Sequence, residues 1–143
     1  MEDWISYSHQ KLSVKLRYPN PTPEGHPVHI TEISSDSSFR VHFLSDSSHE
    51  VYFEVGEYSD VRVGQAIGDF LQEVSERIDG LVRSEVEVLM YAGYPAHRFT
   101  IRWPGKEREI LFTEKFDTLY RIIHDPTSLI NKKMLKSIEF CHA

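Results

Sequence analysis

The chain has 143 residues, a length typical of one domain, and 40% of them are hydrophobic and 27% are charged. The mean hydropathy is -0.40, and no apolar run approaches the roughly 18 residues that a membrane helix needs. This is the composition of an ordinary globular protein, so it excludes a coiled coil, a disulfide scaffold and a largely disordered chain. We expect a single domain over residues 1–143, without a membrane span.

Acidic residues outnumber basic ones by 22 to 16, which gives a net charge of -6. The whole excess lies in residues 1–60, where ten acidic residues stand against four basic ones. A negative chain attracts phosphate backbones weakly, so we expect no nucleic-acid partner. Cys141 is the one cysteine. It cannot form an internal disulfide and, together with an N-terminus that lacks an apolar leader, it favours a cytoplasmic location.

Alternating apolar residues predict four strands in the first part of the chain. The clearest covers residues 12–18 and alternates apolar with polar positions throughout. A loop with four prolines follows at residues 19–27. Shorter strands are predicted at residues 28–33, 39–43 and 51–55. The last two form a hairpin through a turn at 46–48.

The apolar period then changes to 3.6 residues and predicts a helix over residues 63–78. Asp60 is the expected N-cap, and Gly80 is the expected stop. Gly64 and Gly68 share one side of this helix, although glycine destabilises a helix interior. We interpret them as the place where the helix closely approaches another element. A backbone-lined contact with a partner protein is the alternative.

Four further strands and a second helix complete the predicted order. The strands cover residues 85–90, 97–103, 109–116 and 119–124, and the short turns between them require antiparallel pairing. Thr127 or Ser128 is the expected cap of the second helix. The apolar side of that helix consists of Ile130, Met134 and Ile138. The expected fold is therefore α+β, a single-domain sandwich with a central antiparallel sheet flanked by helices.

The sequence contains no P-loop, no GxGxxG, no HExxH and no Gly-x-Ser-x-Gly motif. We therefore expect no catalytic residue and no enzymatic activity. His26 and His29, with Glu24 nearby, are a candidate metal-binding group in the proline-rich loop. On an extended chain, residues three apart point to opposite faces. Two loop histidines without a metal are thus the simpler interpretation, and no cofactor is expected.

Cationic residues on one predicted strand suggest a binding surface. The side that carries His97 is apolar, whereas Arg98 and Arg102 lie on the opposite side. Arg40 lies on the same side of the sheet as these two arginines if the order of the strands places it there. We take Arg98, Arg102 and Arg40 as candidate binding residues for an acidic partner or an anionic ligand. The alternative is a solvated or helix-covered face on which carboxylates neutralise them.

Several segments together resemble the Mog1/PsbP-like family, which includes bacterial DcrB-type proteins. The resemblance rests on a first strand ending in Tyr-Pro, a helix after a strand pair, a Gly-x-Pro-Ala turn, a late strand and a closing segment. In this chain the first strand is 12–19, the helix 63–78, the turn with its strand 93–98, the late strand 119–122 and the closing segment 134–140. The family often has a tryptophan just after Tyr-Pro, where this chain has Asn20-Pro21.

The resemblance implies an antiparallel sheet flanked by helices, and protein binding rather than catalysis. Family members act in photosystem assembly, in binding a nuclear-transport GTPase and in secretion chaperoning. We accordingly expect a soluble, non-enzymatic protein-interaction or chaperone-like module. Its partner is another protein, with a homodimer as a further arrangement. The alternative is a small-ligand- or metal-binding domain that uses histidine or arginine side chains.

Overall fold

The computed structural model describes residues 4–46, 50–115 and 117–141. Strands account for 53% and helices for 17% of these residues. The strands are β1 (Ile5–His9), β2 (Leu12–Tyr18), β3 (Val28–Ser34), β4 (Ser38–Ser45), β5 (Tyr52–Ser59), β6 (Val82–Arg83), β7 (Glu87–Tyr91), β8 (Tyr94–Trp103), β9 (Lys106–Lys115), β10 (Thr118–His124) and β11 (Glu139–Phe140). The helices are α1 (Val63–Arg77) and α2 (Leu129–Lys136). The predicted turn at 46–48 and the end of the strand predicted at 109–116 lie partly outside the described residues.

Eight strands form one antiparallel sheet in the order β3-β4-β5-β10-β9-β8-β6, with β7 also paired to β8. Since β8 pairs with β9 on one side and with β6 and β7 on the other, β6 and β7 form an edge of the sheet. The register defines two faces. We call the face with the row Val41, Val55, Ile122 and Leu111 the inner face, and the face with the row Arg40, Gly56, Arg121 and Phe112 the outer face.

The inner face is covered by a second sheet, in the order β1-β2-β11, and by α2. The rings of Tyr7 and Tyr18 each lie 5.2 Å from the ring of Phe43. Met134 of α2 is fully buried in the same core. Ser128 caps α2 by accepting a hydrogen bond from the Asn131 amide, so one of the two predicted caps is confirmed. The main hydrophobic core therefore lies between two sheets.

Helix α1 packs on the outer face. Phe70 places its ring 6.0 Å from that of Phe99 and 6.3 Å from that of Phe112. The predicted N-cap is wrong, because Arg62 holds that position without a side-chain hydrogen bond. Instead the Val63 amide donates to a Glu114 carboxylate oxygen at 2.6 Å. A strand of the sheet thus satisfies one of the free amides at the start of this helix.

The two glycines of α1 do not approach another element. A β-carbon added to Gly64 or to Gly68 would meet nothing within 4 Å, and both residues are exposed. The predicted close approach is therefore wrong within the described part of the chain. The helix ends at Arg77, before Gly80 as predicted, but its C-cap is Ile78 in an extended conformation, and Gly80, with a φ of +74°, follows two residues later.

The expected α+β sandwich flanked by helices is also wrong. The fold is β-rich, because a three-stranded sheet covers much of the inner face where helices were expected. Strands β1, β6 and β11 are missing from the predicted order. Strands β6 and β11 have two residues each, too few for a periodic pattern. Strand β1 alternates Ile5, Tyr7 and His9 with serines, a signal that could have revealed it.

Candidate functional site

The three candidate arginines do not form one cluster. Arg98 pairs with Leu111 of the inner face, and Arg102 lies four residues further along β8 on the same side. Arg40 pairs with Gly56 of the outer face. The structure thus brings Arg98 and Arg102 to one face of the sheet and leaves Arg40 on the opposite one.

Arg98 belongs to a chain of ion pairs at the inner face. Its guanidinium lies 3.3 Å from the Glu87 carboxylate and 3.6 Å from that of Glu109. The other Glu109 oxygen lies 3.2 Å from Nε2 of His124, a side chain that is only 1% exposed. The pKa of Glu109 is lowered, above all by His124 and further by the Arg98 and Lys132 charges. Two carboxylates therefore neutralise Arg98, which favours a structural role.

Arg102 is exposed and lines a surface cleft of about 410 Å³. Lys106 is the other exposed cation of this cleft. Arg108, also in its wall, stacks its guanidinium 3.8 Å from the Tyr52 ring centre and lies 3.8 Å from the Asp125 carboxylate. Arg108 is thus held in place, whereas Arg102 and Lys106 are open to an anionic group.

Arg40 lies on the part of the outer face that α1 leaves open. Across the sheet from it, Arg121 pairs with Glu54 at 2.8 Å and lies 5.3 Å from the Tyr58 ring. His42 is on the same face, and its Nε2 has no hydrogen-bond partner within the described ranges. Burial lowers the pKa of His42. This region combines cations with aromatic rings, and Arg121 and Tyr58 line a shallow groove beside α1.

The proline-rich loop forms a compact cluster that differs from the predicted one. His26 and His29 do not converge, because Nε2 of His29 lies 2.7 Å from the exposed Asp46. Nδ1 of His26 instead lies 2.5 Å from Glu50, a residue two positions before β5. The carboxylate of Glu24 lies within 4.8 Å of both ligand atoms. Glu50 was missed because only the tertiary fold brings it to the loop, and no local pattern marks it.

Hydrogen bonds set the protonation states in this cluster. The Glu50 carboxylate raises the pKa of His26 above its ordinary value. Burial opposes ionisation of Glu50, but hydrogen bonds from His26 and Thr22 outweigh it and lower the pKa of that carboxyl. The contact therefore favours the carboxylate form of Glu50 and the protonated form of the His26 ring.

The β6–β7 edge carries the most exposed large apolar side chains of the sheet. Val88 is 69% exposed, Met90 is 65% exposed and Val82 is 60% exposed. Val88 pairs with His97, which in turn pairs with Phe112, so Val88 and Met90 belong to the outer face. No helix within the described ranges is long and apolar enough to cross a membrane. Val88 and Met90 together are the clearest unexplained apolar surface of the fold.

Comparisons with known proteins give little further guidance. No family model matches the chain, and no curated protein matches it. Among solved structures, the chain is similar to a protein of unknown function, PA94, from Pseudomonas aeruginosa, for which a regulatory role has been suggested. The two share 12% identity over 90% of this chain and 85% of the other, with a TM-score of 0.42.

Proposed function

We propose that this chain is a non-enzymatic protein-interaction module that binds an extended segment of a partner polypeptide along β7. The observation that carries the proposal is an edge strand with two exposed apolar side chains, Val88 and Met90, on one face. Natural proteins usually protect an edge strand with charges, proline or a covering loop. An edge left apolar is typical of strands that pair with another chain.

The backbone of β7 is suited to strand addition. Within the described residues β7 pairs only with β8, so its outward N–H and C=O groups are available to a further strand. Glu87, the acidic residue that begins β7, is already engaged by Arg98. Main-chain hydrogen bonds would supply affinity, and Val88 and Met90 would select apolar side chains at alternate positions of the partner.

The exposed glycines of α1 support the same location. Asp69 and Glu73 line a groove with Tyr58, on the side of α1 that faces β5. Each residue of an α-helix is rotated by about 100° from the one before it. By this rotation Gly64 and Gly68 lie on the other flank of the helix from Asp69 and Glu73. A β-carbon added at either glycine would meet no described atom within 4 Å, so this flank of α1, a helix that packs on the same outer face as Val88 and Met90, is open to partner side chains.

The sequence resemblance to protein-binding families agrees with this proposal. We further infer a cytoplasmic location, which the lone Cys141 supports because a reducing compartment suits an unpaired thiol. Cell fractionation tests this part separately. Turnover on a broad substrate panel, abolished by a single substitution, would overturn the non-enzymatic assignment.

Site-specific photo-crosslinking in the native cell tests the binding surface. A photoreactive residue is placed at position 88, 89, 90 or 129. Positions 88 and 90 should give one defined adduct, whereas position 89 should not, because Leu89 turns to the inner face. Leu129 is 72% exposed at the start of α2 and is the matched control for apolar exposure.

Charged variants complete the test. Val88→Lys and Met90→Lys should remove the adduct formed at the neighbouring position, whereas Leu129→Lys should leave it unchanged. An adduct between two copies of the chain would identify the homodimer as the bound form. Equal adducts at position 129, or adducts that survive both charged variants, would refute β7 as the binding strand.

A further inference from the structure

We propose that Glu24, His26 and Glu50 together bind one divalent transition-metal ion. Their ligand atoms, two carboxylate oxygens and an imidazole nitrogen, all lie within 4.8 Å of one another. An ion with metal–ligand distances of about 2.0–2.2 Å holds its ligands roughly 3–3.5 Å apart. Binding therefore requires side-chain shifts that bring Glu24 closer and widen the present 2.5 Å contact between His26 and Glu50. The site goes beyond the proposed protein-binding function and involves none of the β7 residues.

The fold holds the buried ligand in place from two directions. The main-chain oxygen of Glu50 accepts a hydrogen bond from the Ser128 hydroxyl at 2.5 Å. Its carboxylate accepts one from the Thr22 hydroxyl at 2.7 Å. The Glu50 side chain is only 8% exposed. Partners of this kind orient a first ligand before the metal arrives and raise metal affinity.

The loop that brings the other two ligands is closed on itself. The Thr22 amide donates to the His26 carbonyl at 2.8 Å, and the His26 amide donates back to the Thr22 hydroxyl at 3.1 Å. The Glu24 amide also faces the Glu50 carboxylate, at 3.4 Å. Glu24 and His26 are therefore kept at the mouth of the site, where solvent can fill the remaining coordination positions.

The charge around the site favours a cation. The charged groups that act on the His26 ring are Glu50, Glu24 and Asp46, all of them acidic. One protonated imidazole offsets only one of these three negative charges. A divalent ion offsets two, and it binds His26 through the same Nδ1 atom that now faces Glu50.

The donor set limits which metal fits the site. A histidine ring binds a metal through a neutral ring nitrogen. One imidazole with two carboxylates is a mixed donor set that suits zinc and manganese rather than calcium. Zinc binds such sites more tightly than manganese in the general order of divalent ions.

Isothermal titration of the metal-free full chain with zinc chloride, and separately with manganese chloride, tests the proposal. We expect one zinc ion per chain. Glu24 is exposed, so Glu24→Gln should leave the fold intact and weaken zinc binding at least about tenfold. His26→Ala should abolish binding.

His29→Ala is the matched control, because His29 is a nearby exposed histidine outside the cluster. It should leave zinc affinity unchanged, and X-ray absorption at the zinc edge should show one imidazole ligand. Absence of zinc binding by the folded wild-type chain would overturn the proposal. Binding that survives both Glu24→Gln and His26→Ala, or that His29→Ala abolishes, would equally overturn it.

Discussion

Replacing Gly68 by alanine should stabilise the protein. Gly68 lies in the interior of α1, and an added β-carbon would meet no atom within 4 Å. Alanine therefore causes no clash, while it restricts the unfolded chain and favours the helix. The same reasoning applies more weakly to Gly64, which lies in the first turn of α1.

The size of the effect follows from helix propensity alone, because the site offers no new packing. Glycine is less favourable than alanine by about 0.8–1.0 kcal/mol in a helix interior, so we expect a gain of about 0.5–1 kcal/mol. Unfolding 143 residues releases about 0.3 kcal/mol per kelvin of entropy. The melting temperature should therefore rise by about 2–3 °C.

Thermal and urea unfolding, followed by circular dichroism, measure this change. Gly105→Ala is the matched control, since it also adds a β-carbon in open space. Gly105, however, has a φ of +79°, a conformation that costs an L-residue about 1 kcal/mol. We therefore expect opposite signs for the two substitutions, with an unchanged dependence on urea concentration.

A neutral or destabilising Gly68→Ala would refute the reasoning that this flank of α1 is empty. If that loss grew with protein concentration, the glycine flank would be covered by a second copy of the chain. If the loss were independent of concentration, the glycine flank would lie against another part of the same chain.

Three further predictions concern the core, the ion pairs and acid stability, and each is tested by urea unfolding. Phe43→Ala should cost about 3–5 kcal/mol, because Phe43 is 0% exposed between the two sheets; a loss below 1 kcal/mol would contradict that packing. Glu109→Gln should lower the free energy of unfolding by about 1–3 kcal/mol. Its control, Glu73→Gln, removes an exposed ion pair of α1 and should cost about 0.3–0.5 kcal/mol. Equal losses would refute a structural role for the inner-face ion pairs. Burial holds the pKa of His42 below its ordinary 6.5, so the unfolded chain takes up the proton first as the pH falls. The contribution of His42 to stability is then complete above about pH 6.5 and declines below it, and His42→Phe should reduce the loss between pH 7.5 and 5.5.

Local patterns predicted those elements whose buried side chains recur at a regular period along the sequence. Strand β2 occupies residues 12–18 as expected, with its four apolar side chains buried. The hairpin pairing of β4 with β5 is confirmed. Helix α2 buries Met134 of its predicted apolar side, whereas Ile138, which is also buried, lies beyond the end of the helix at Lys136. In each case, burial of one face imposes the period that the sequence displays.

The candidate sites were less predictable, because each depends on register or on distant contacts. Arg98 and Arg40 both alternate with apolar neighbours, and only the register across five strands shows that they lie on opposite faces. Glu50 lies 24 residues from His26 along the chain. No spacing rule joins two such residues.

The sequence by itself determined the alternation of strands and helices, the antiparallel pairing of neighbouring strands and the negative charge of the first 60 residues. These properties depend on side-chain period, turn length and composition, which are local. The tertiary structure alone decided that a second sheet covers the inner face, that the α1 glycines lie open, and that Glu50 meets Glu24 and His26. These outcomes depend on which surfaces pack together, and packing is settled by the whole chain rather than by any one segment.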